Sequence, residues 1–101
     1  MKIKVSEATP RQLDWMVARC EGGVGENQLL GAWYAPSTDW AQGGPIIERE
    51  KIDILHEHDM RWVAVPQKGV ERYGPTPLIA AMRCYVASQM GDEVEIPEEL
   101  K

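Results

Sequence analysis

Ile52-Asp53-Ile54-Leu55-His56 and Arg61-Trp62-Val63-Ala64-Val65 are two runs rich in β-branched and aromatic residues, separated by polar residues of the His-Glu-His-Asp-Met kind. The pattern predicts an antiparallel hairpin and commits the middle of the chain to a sheet. Downstream, residues 66–75 are a polar loop rich in Gly and Pro. Thr76-Pro77 then opens a helix that runs to about Met90 and stops at Gly91. Upstream, Gly44-Pro45 opens a shorter helical piece to about Lys51, with Pro45 at its first position and Ser37 or Thr38 capping a turn before it. Leu29 to Tyr34 is short and apolar and reads as a strand. Earlier still, Thr9-Pro10-Arg11-Gln12 combines an N-cap, a proline at the first helical position and the glutamine of a capping box. Leu13, Met16, Val17 and Cys20 follow on one face, and Gly22-Gly23 ends that helix. Lys2 to Val5 alternates as a strand does, and so does Glu93-Val94-Glu95-Ile96-Pro97, as an edge strand. The order β-α-β-α-β-β-α predicts an α+β domain: a mostly antiparallel sheet of three to five strands, two main helices and one short one.

The final helix has one charged residue between Pro77 and Met90, namely Arg83, and small residues away from its Leu78/Met82/Tyr85/Val86 face. A helix apolar nearly all round is buried on more than one side, with one side available to a homodimer contact. Arg83 then sits close to the core and calls for an acidic or anionic partner.

The chain has 101 residues, which suits one domain and not two. The net charge of −5 is uneven: residues 92–101 hold five acids and Lys101, leaving ten bases and eleven acids before them. The expected division is a domain over 1–91 and an acidic tail over 92–101. A nearly neutral body argues against a duplex nucleic-acid footprint, which needs a basic face. Two cysteines, Cys20 and Cys84, make neither a disulfide framework nor a zinc cluster. No apolar run approaches the ~18 residues of a membrane span and no signal peptide opens the chain, so the expected location is the compartment of synthesis.

The densest chemistry lies in Ser37-Thr38-Asp39-Trp40-Ala41-Gln42-Gly43-Gly44-Pro45, just after Trp33 and Tyr34. Gly43 and Gly44 let a backbone approach a ligand, and a helix start at Pro45 favours an anion. Trp40, Trp33 and Tyr34 can stack on a ring, while Ser37, Thr38, Asp39 and Gln42 can read hydroxyls and amides. With Arg83 and the helix start at Thr76 this makes a candidate pocket for a nucleotide-like ligand. The competing reading is a capped turn with Trp40 in the core. The glycine spacing is neither a P-loop nor a dinucleotide fingerprint. On the first helix Arg11, Trp15 and Arg19 lie opposite the apolar face, as a secondary stacking and charge site or as Arg stems covering Trp15. His56 and His58 share a strand face but lack third and fourth metal ligands of recognisable spacing. No nucleophile motif is present, so neither a metal nor a cofactor is expected.

Three stretches carry a family resemblance: Leu13-Asp14-Trp15-Met16-Val17-Ala18-Arg19-Cys20-Glu21-Gly22; Pro36 to Glu50 around Thr38-Asp39-Trp40-Ala41-Gln42-Gly43-Gly44-Pro45; and Thr76-Pro77-Leu78-Ile79-Ala80-Ala81-Met82-Arg83 with Tyr85-Val86-Ala87-Ser88 and Gly91-Asp92-Glu93-Val94. Together they resemble the NinX-type family of small tailed-phage proteins, over nearly the whole chain. The resemblance implies a phage or prophage accessory protein in the cytoplasm of a bacterial host, and it implies no mechanism. Three functions follow as expectations. The first is a non-enzymatic binder of a small nucleotide-like or phosphate-containing ligand, such as a host defence signal it sequesters. The second is an interaction module for a host or phage protein, using Trp15 and the acidic tail. The third, with the least in its favour, is a small hydrolase or metal enzyme.

Overall fold

The computed structural model describes residues 1–25, 28–31 and 33–101. Its elements are β1 (Lys2–Lys4), α1 (Pro10–Cys20), α2 (Trp40–Glu50), β2 (Asp53–His58), β3 (Arg61–Val65), β4 (Arg72–Gly74), α3 (Pro77–Met90) and β5 (Glu93–Glu95), with one-turn 3-10 helices at Val5–Glu7 and Glu98–Leu100. The class is α+β. The strands form two antiparallel sheets, β1-β5 and β2-β3-β4.

α3 organises the domain. Thr76 caps it by accepting the Ile79 N–H, and Pro77 occupies the first helical position, where its missing N–H costs nothing. Its buried residues face every direction because α1, α2, the three-stranded sheet and β5 all pack on it. The small residues Ala80, Ala81 and Cys84 are buried by the chain itself.

α1 begins as its capping box requires, with Thr9 and Gln12 bonding each other's backbone N–H groups. Leu13, Met16 and Val17 are fully buried as the periodicity predicts. Trp15 and Asp14 on the opposite side are buried as well, because Gln28, Leu30, Tyr34 and Ser37 lie over them. Trp15 Nε1 donates to the Gln28 carbonyl at 2.7 Å. Leu29 to Tyr34, expected to be a strand, contains no strand among its described residues; Ala32 lies outside them.

α2 starts five residues earlier than its proline suggests. Asp39 is the N-cap and accepts the Ala41 N–H at 3.0 Å, so Pro45 lies inside the helix and not at its start. The helix ends at Lys51, whose φ of 54° is left-handed.

The hairpin forms as predicted, with β2 extended to His58 and a bulge between His56 and His58. The bulge breaks the period-2 face those two histidines were expected to share, and His56 stacks on Trp62 instead, centroids 4.4 Å apart. β4, inside the expected loop, pairs Arg72 with Ala64 and Tyr73 with Val63. Its Gly74 lies so close to α3 that a Cβ would sit 2.6 Å from the Ala80 nitrogen.

Residues 92–101 are part of the domain. β5 sets Glu93 and Glu95 opposite Lys4 and Lys2 of β1, and Ile96, Pro97 and Leu100 are buried. Gln12 Nε2 donates to the Leu100 carbonyl, and the N-terminal ammonium pairs with Glu95. Both cysteines are free thiols, and burial pushes each up to about 11, far from a reactive thiolate. Among the described residues no helix is long and apolar enough to cross a membrane.

Candidate functional site

The polar side chains of residues 33–45 are spent largely on the segment itself. Gln42 accepts the Ala35 N–H at 2.9 Å and donates to the Trp33 carbonyl at 2.8 Å and to Asp39 Oδ2 at 2.9 Å. Ser37 is 1% exposed; its N–H donates to Asp14 Oδ1 at 2.8 Å, and its hydroxyl to the Pro10 carbonyl at 3.3 Å. Gly43 lies against the Pro36 carbonyl and Leu78, while Gly44 lies 3.9 Å from the Trp40 ring, measured from where a Cβ would be. Trp40 and Trp33 remain outside at 55% and 78% exposed, with Tyr34 edge-on to Trp33. Trp40 therefore does not fill the core.

Of the remaining expected residues, Arg11, Trp15, Tyr34 and Thr38 share the lining of a hollow of about 400 Å³ with Asp14 and Leu100. Arg19 is tied to the Val24 carbonyl and lies 5.9 Å over the Trp15 ring. Thr76 is occupied as a cap. Trp15 is not an exposed stacking platform, since its indole is held from both sides.

Burial raises Asp14 above the ordinary carboxylate value of 3.8, and the Ser37 hydrogen bonds only partly oppose this. A raised folded-state value means that the folded protein holds this proton more tightly than the unfolded chain. The group favours folding most below the unfolded value, and the benefit is lost as pH rises through the folded one. Asp14→Asn is therefore expected to gain stability relative to wild type as pH rises from about 3 to about 7, read by urea titration. A difference that is flat or reversed with pH contradicts the assignment. Asp14→Ala leaves the buried Ser37 N–H unmatched and is expected to cost ~1–3 kcal/mol.

Arg83 lies elsewhere. Among the described residues, none of 33–45 lines the cavity that holds it. That cavity, about 520 Å³, is walled by the first 3-10 turn, the hairpin tip, β4 and α3. It gathers Arg61, Arg72 and Arg83 beside Tyr73, with Val5, Met60 and Pro75 as apolar wall. Arg83 Nη1 donates to the Tyr73 carbonyl at 3.0 Å and Nη2 to the Ala8 carbonyl at 3.4 Å. Among the described residues no carboxylate pairs with it, and burial pushes its pKa down. Arg72 pairs with Asp92 at 2.7 Å. Arg61 pairs with Glu57 and lies 4.1 Å over the Tyr73 ring. The Nε atoms of Arg72 and Arg83 are buried without a partner. A guanidinium carries five N–H donors, and unmet buried donors mark a place where an acceptor would be stabilising.

Of these residues only Arg83 was legible as a candidate. Arg61 belongs to the hairpin, while Arg72 and Tyr73 sit on a strand that composition disguises as loop. No spacing in the sequence links the three arginines. Chemically the groove offers charge-assisted hydrogen bonds to an oxyanion and an apolar wall for a ring. Among the described residues no group of three His, Cys, Asp or Glu side chains is placed to hold a metal ion.

A model of the family described as Bacteriophage P22, NinX matches residues 4–89. The match spans most of the chain and all three stretches that carried the resemblance, apart from the residues beyond 89, and the chain belongs to that family. No curated protein matches it.

Proposed function

We propose that this NinX-family phage accessory protein acts without catalysis, by binding a small nucleotide-like, phosphate-containing ligand in the arginine-lined groove. One observation carries the reading. Arg83 is a half-buried cation whose only partners among the described residues are two backbone carbonyls, and it lines a cavity of about 520 Å³. A half-buried charge without a counter-ion is costly, and a phosphate oxygen compensates it directly. The volume falls within the roughly 300–1,000 Å³ usual for small-molecule sites. Binding alone is enough to withdraw a host signalling molecule from its receptor in the bacterial cytoplasm. Phosphate is assigned to Arg83 and not to 37–44, since the polar side chains of Ser37, Asp39 and Gln42 already have hydrogen-bond partners.

Thermal-shift and calorimetric titration against inorganic phosphate and a nucleotide panel test this. Wild type is expected to be stabilised by at least one phosphate compound. Arg83→Met, once its circular dichroism matches wild type, is expected to lose about tenfold or more in affinity. Full affinity in a folded Arg83→Met protein, or no stabilisation of wild type by any phosphate compound, would sink the proposal.

A second reading, a protein-interaction module, is favoured by the exposed indoles of Trp33 and Trp40. Removing residues 92–101 does not test it, since Ile96 and Leu100 are core. The relevant variant is Trp33→Ser with Trp40→Ser, which should abolish capture of a partner from host lysate.

A further inference from the structure

We infer that the groove selects a singly charged phosphodiester over phosphate monoesters and polyphosphates. The inference rests on the groove being the binding site. It comes from the charges that remain once every pair in the groove is made.

Three guanidinium groups line the cavity, and two of them have a carboxylate partner just outside its lining: Arg61 has Glu57 and Arg72 has Asp92. Of the three, Arg83 alone has no carboxylate partner among the described residues. Two carboxylates, Asp59 and Glu71, also line the cavity, and neither has a cationic partner within the described residues. The first negative charge of a ligand thus meets Arg83. A second meets two carboxylates and, among the described residues of the lining, no arginine that lacks a carboxylate partner.

Phosphate classes differ in this respect. A phosphodiester carries one negative charge, as each phosphate of a nucleic-acid backbone does. A phosphomonoester carries about −1.5 to −2 near neutral pH, and a triphosphate carries more. Like charges gathered around one cleft repel, and repulsion of the wrong ligand is how such a site discriminates. Asp59 and Glu71 are therefore specificity residues, and Arg83 is the anion holder. The Val5, Met60 and Pro75 wall takes the uncharged body of the ligand.

The test is equilibrium dialysis or calorimetry of the full chain with three matched sets. These are the four ribonucleoside 3′,5′-cyclic phosphates with linear dinucleoside monophosphates, the four 5′-monophosphates, and the four 5′-triphosphates. At least one diester is expected to bind about tenfold or more tighter than its matched monoester and triphosphate. The cyclic and linear members separate the two sources of the same chemistry. Asp59→Asn with Glu71→Gln alters two exposed side chains and should not impair folding. It is expected to strengthen both classes, the monoester more than the diester, and so to shrink the preference to about threefold or less. Monoester or triphosphate binding equal to or tighter than the diester overturns the inference while the anion-binding reading stands. An unchanged preference in the double variant overturns the role of the two acids. Failure of every member to bind folded wild type sinks both readings.

Discussion

Gly43→Ala is expected to destabilise the protein by about 3 kcal/mol or more, the upper part of the range for overpacking. Helix propensity alone says the opposite: alanine is better than glycine inside a helix by ~1 kcal/mol. Contact decides the sign. A Cβ on Gly43 would lie 2.3 Å from the Pro36 carbonyl oxygen and 2.6 Å from Leu78 Cδ2. The Pro36 atom is backbone in a buried turn tied by Ser37 to Asp14 and by Gln42 to Ala35, so it cannot move aside cheaply. Gly44→Ala is the internal control. Its Cβ would meet only the Trp40 ring at 3.9 Å, and it is expected to stabilise by about 0.5–1 kcal/mol. Urea unfolding of both variants checks the pair. Equal and favourable effects would show that α2 does not press on the 36–37 turn.

Trp15→Ala is expected to cost roughly 3–5 kcal/mol, the range for deleting a buried aromatic. Trp15 is 2% exposed and its indole N–H is paired with the Gln28 carbonyl. The loss combines a large cavity with a freed acceptor. Trp15→Phe keeps most of the volume and is expected to lose only about 1–2 kcal/mol, mainly the hydrogen bond. Ligand affinity in the arginine groove should be unchanged in Trp15→Phe, because the residue does not line that cavity. A mild stability effect in Trp15→Ala, with a loss of ligand or partner binding instead, would restore the view of Trp15 as a recognition residue.

Local signals with a local cause were legible. The Thr9/Gln12 capping box, the Thr76-Pro77 start and the Gly22 and Gly91 stops depend on residues within one turn of each other, and all form as read. The hairpin is equally local. Pro45 misled because proline fits both the first helical position and, at a cost, the interior. The Asp39 cap and the Gln42 brace outweigh the hydrogen bond that Pro45 removes. β4 was hidden because three residues with one glycine carry no alternation, and only its pairing with β3 makes it a strand. The acidic composition of 92–101 suggested a solvated tail, yet Val94, Ile96 and Leu100 supply enough apolar surface to anchor it.

The candidate site divides the same way. Arg83 stood out by itself, since one charge on an otherwise apolar helix is conspicuous without a structure. Its neighbours Arg61, Arg72 and Tyr73 did not, because they come from different strands and meet only when the sheet packs on α3.

By itself the sequence determined the starts and stops of the first and last helices, the hairpin, the α+β class and the family, all of which rest on residue types at short spacing. Tertiary structure decided that Trp15 is core, that Ser37 ties its turn to the first helix, and that Asp39 and Gln42 brace the backbone around them. It also decided that Arg83 lines a cavity beside β4, which neither Asp39 nor Trp40 lines. The physical reason is that propensity and capping act over a few residues. Burial and charge compensation depend on which distant segments arrive next to a side chain, and no spacing in the chain records that.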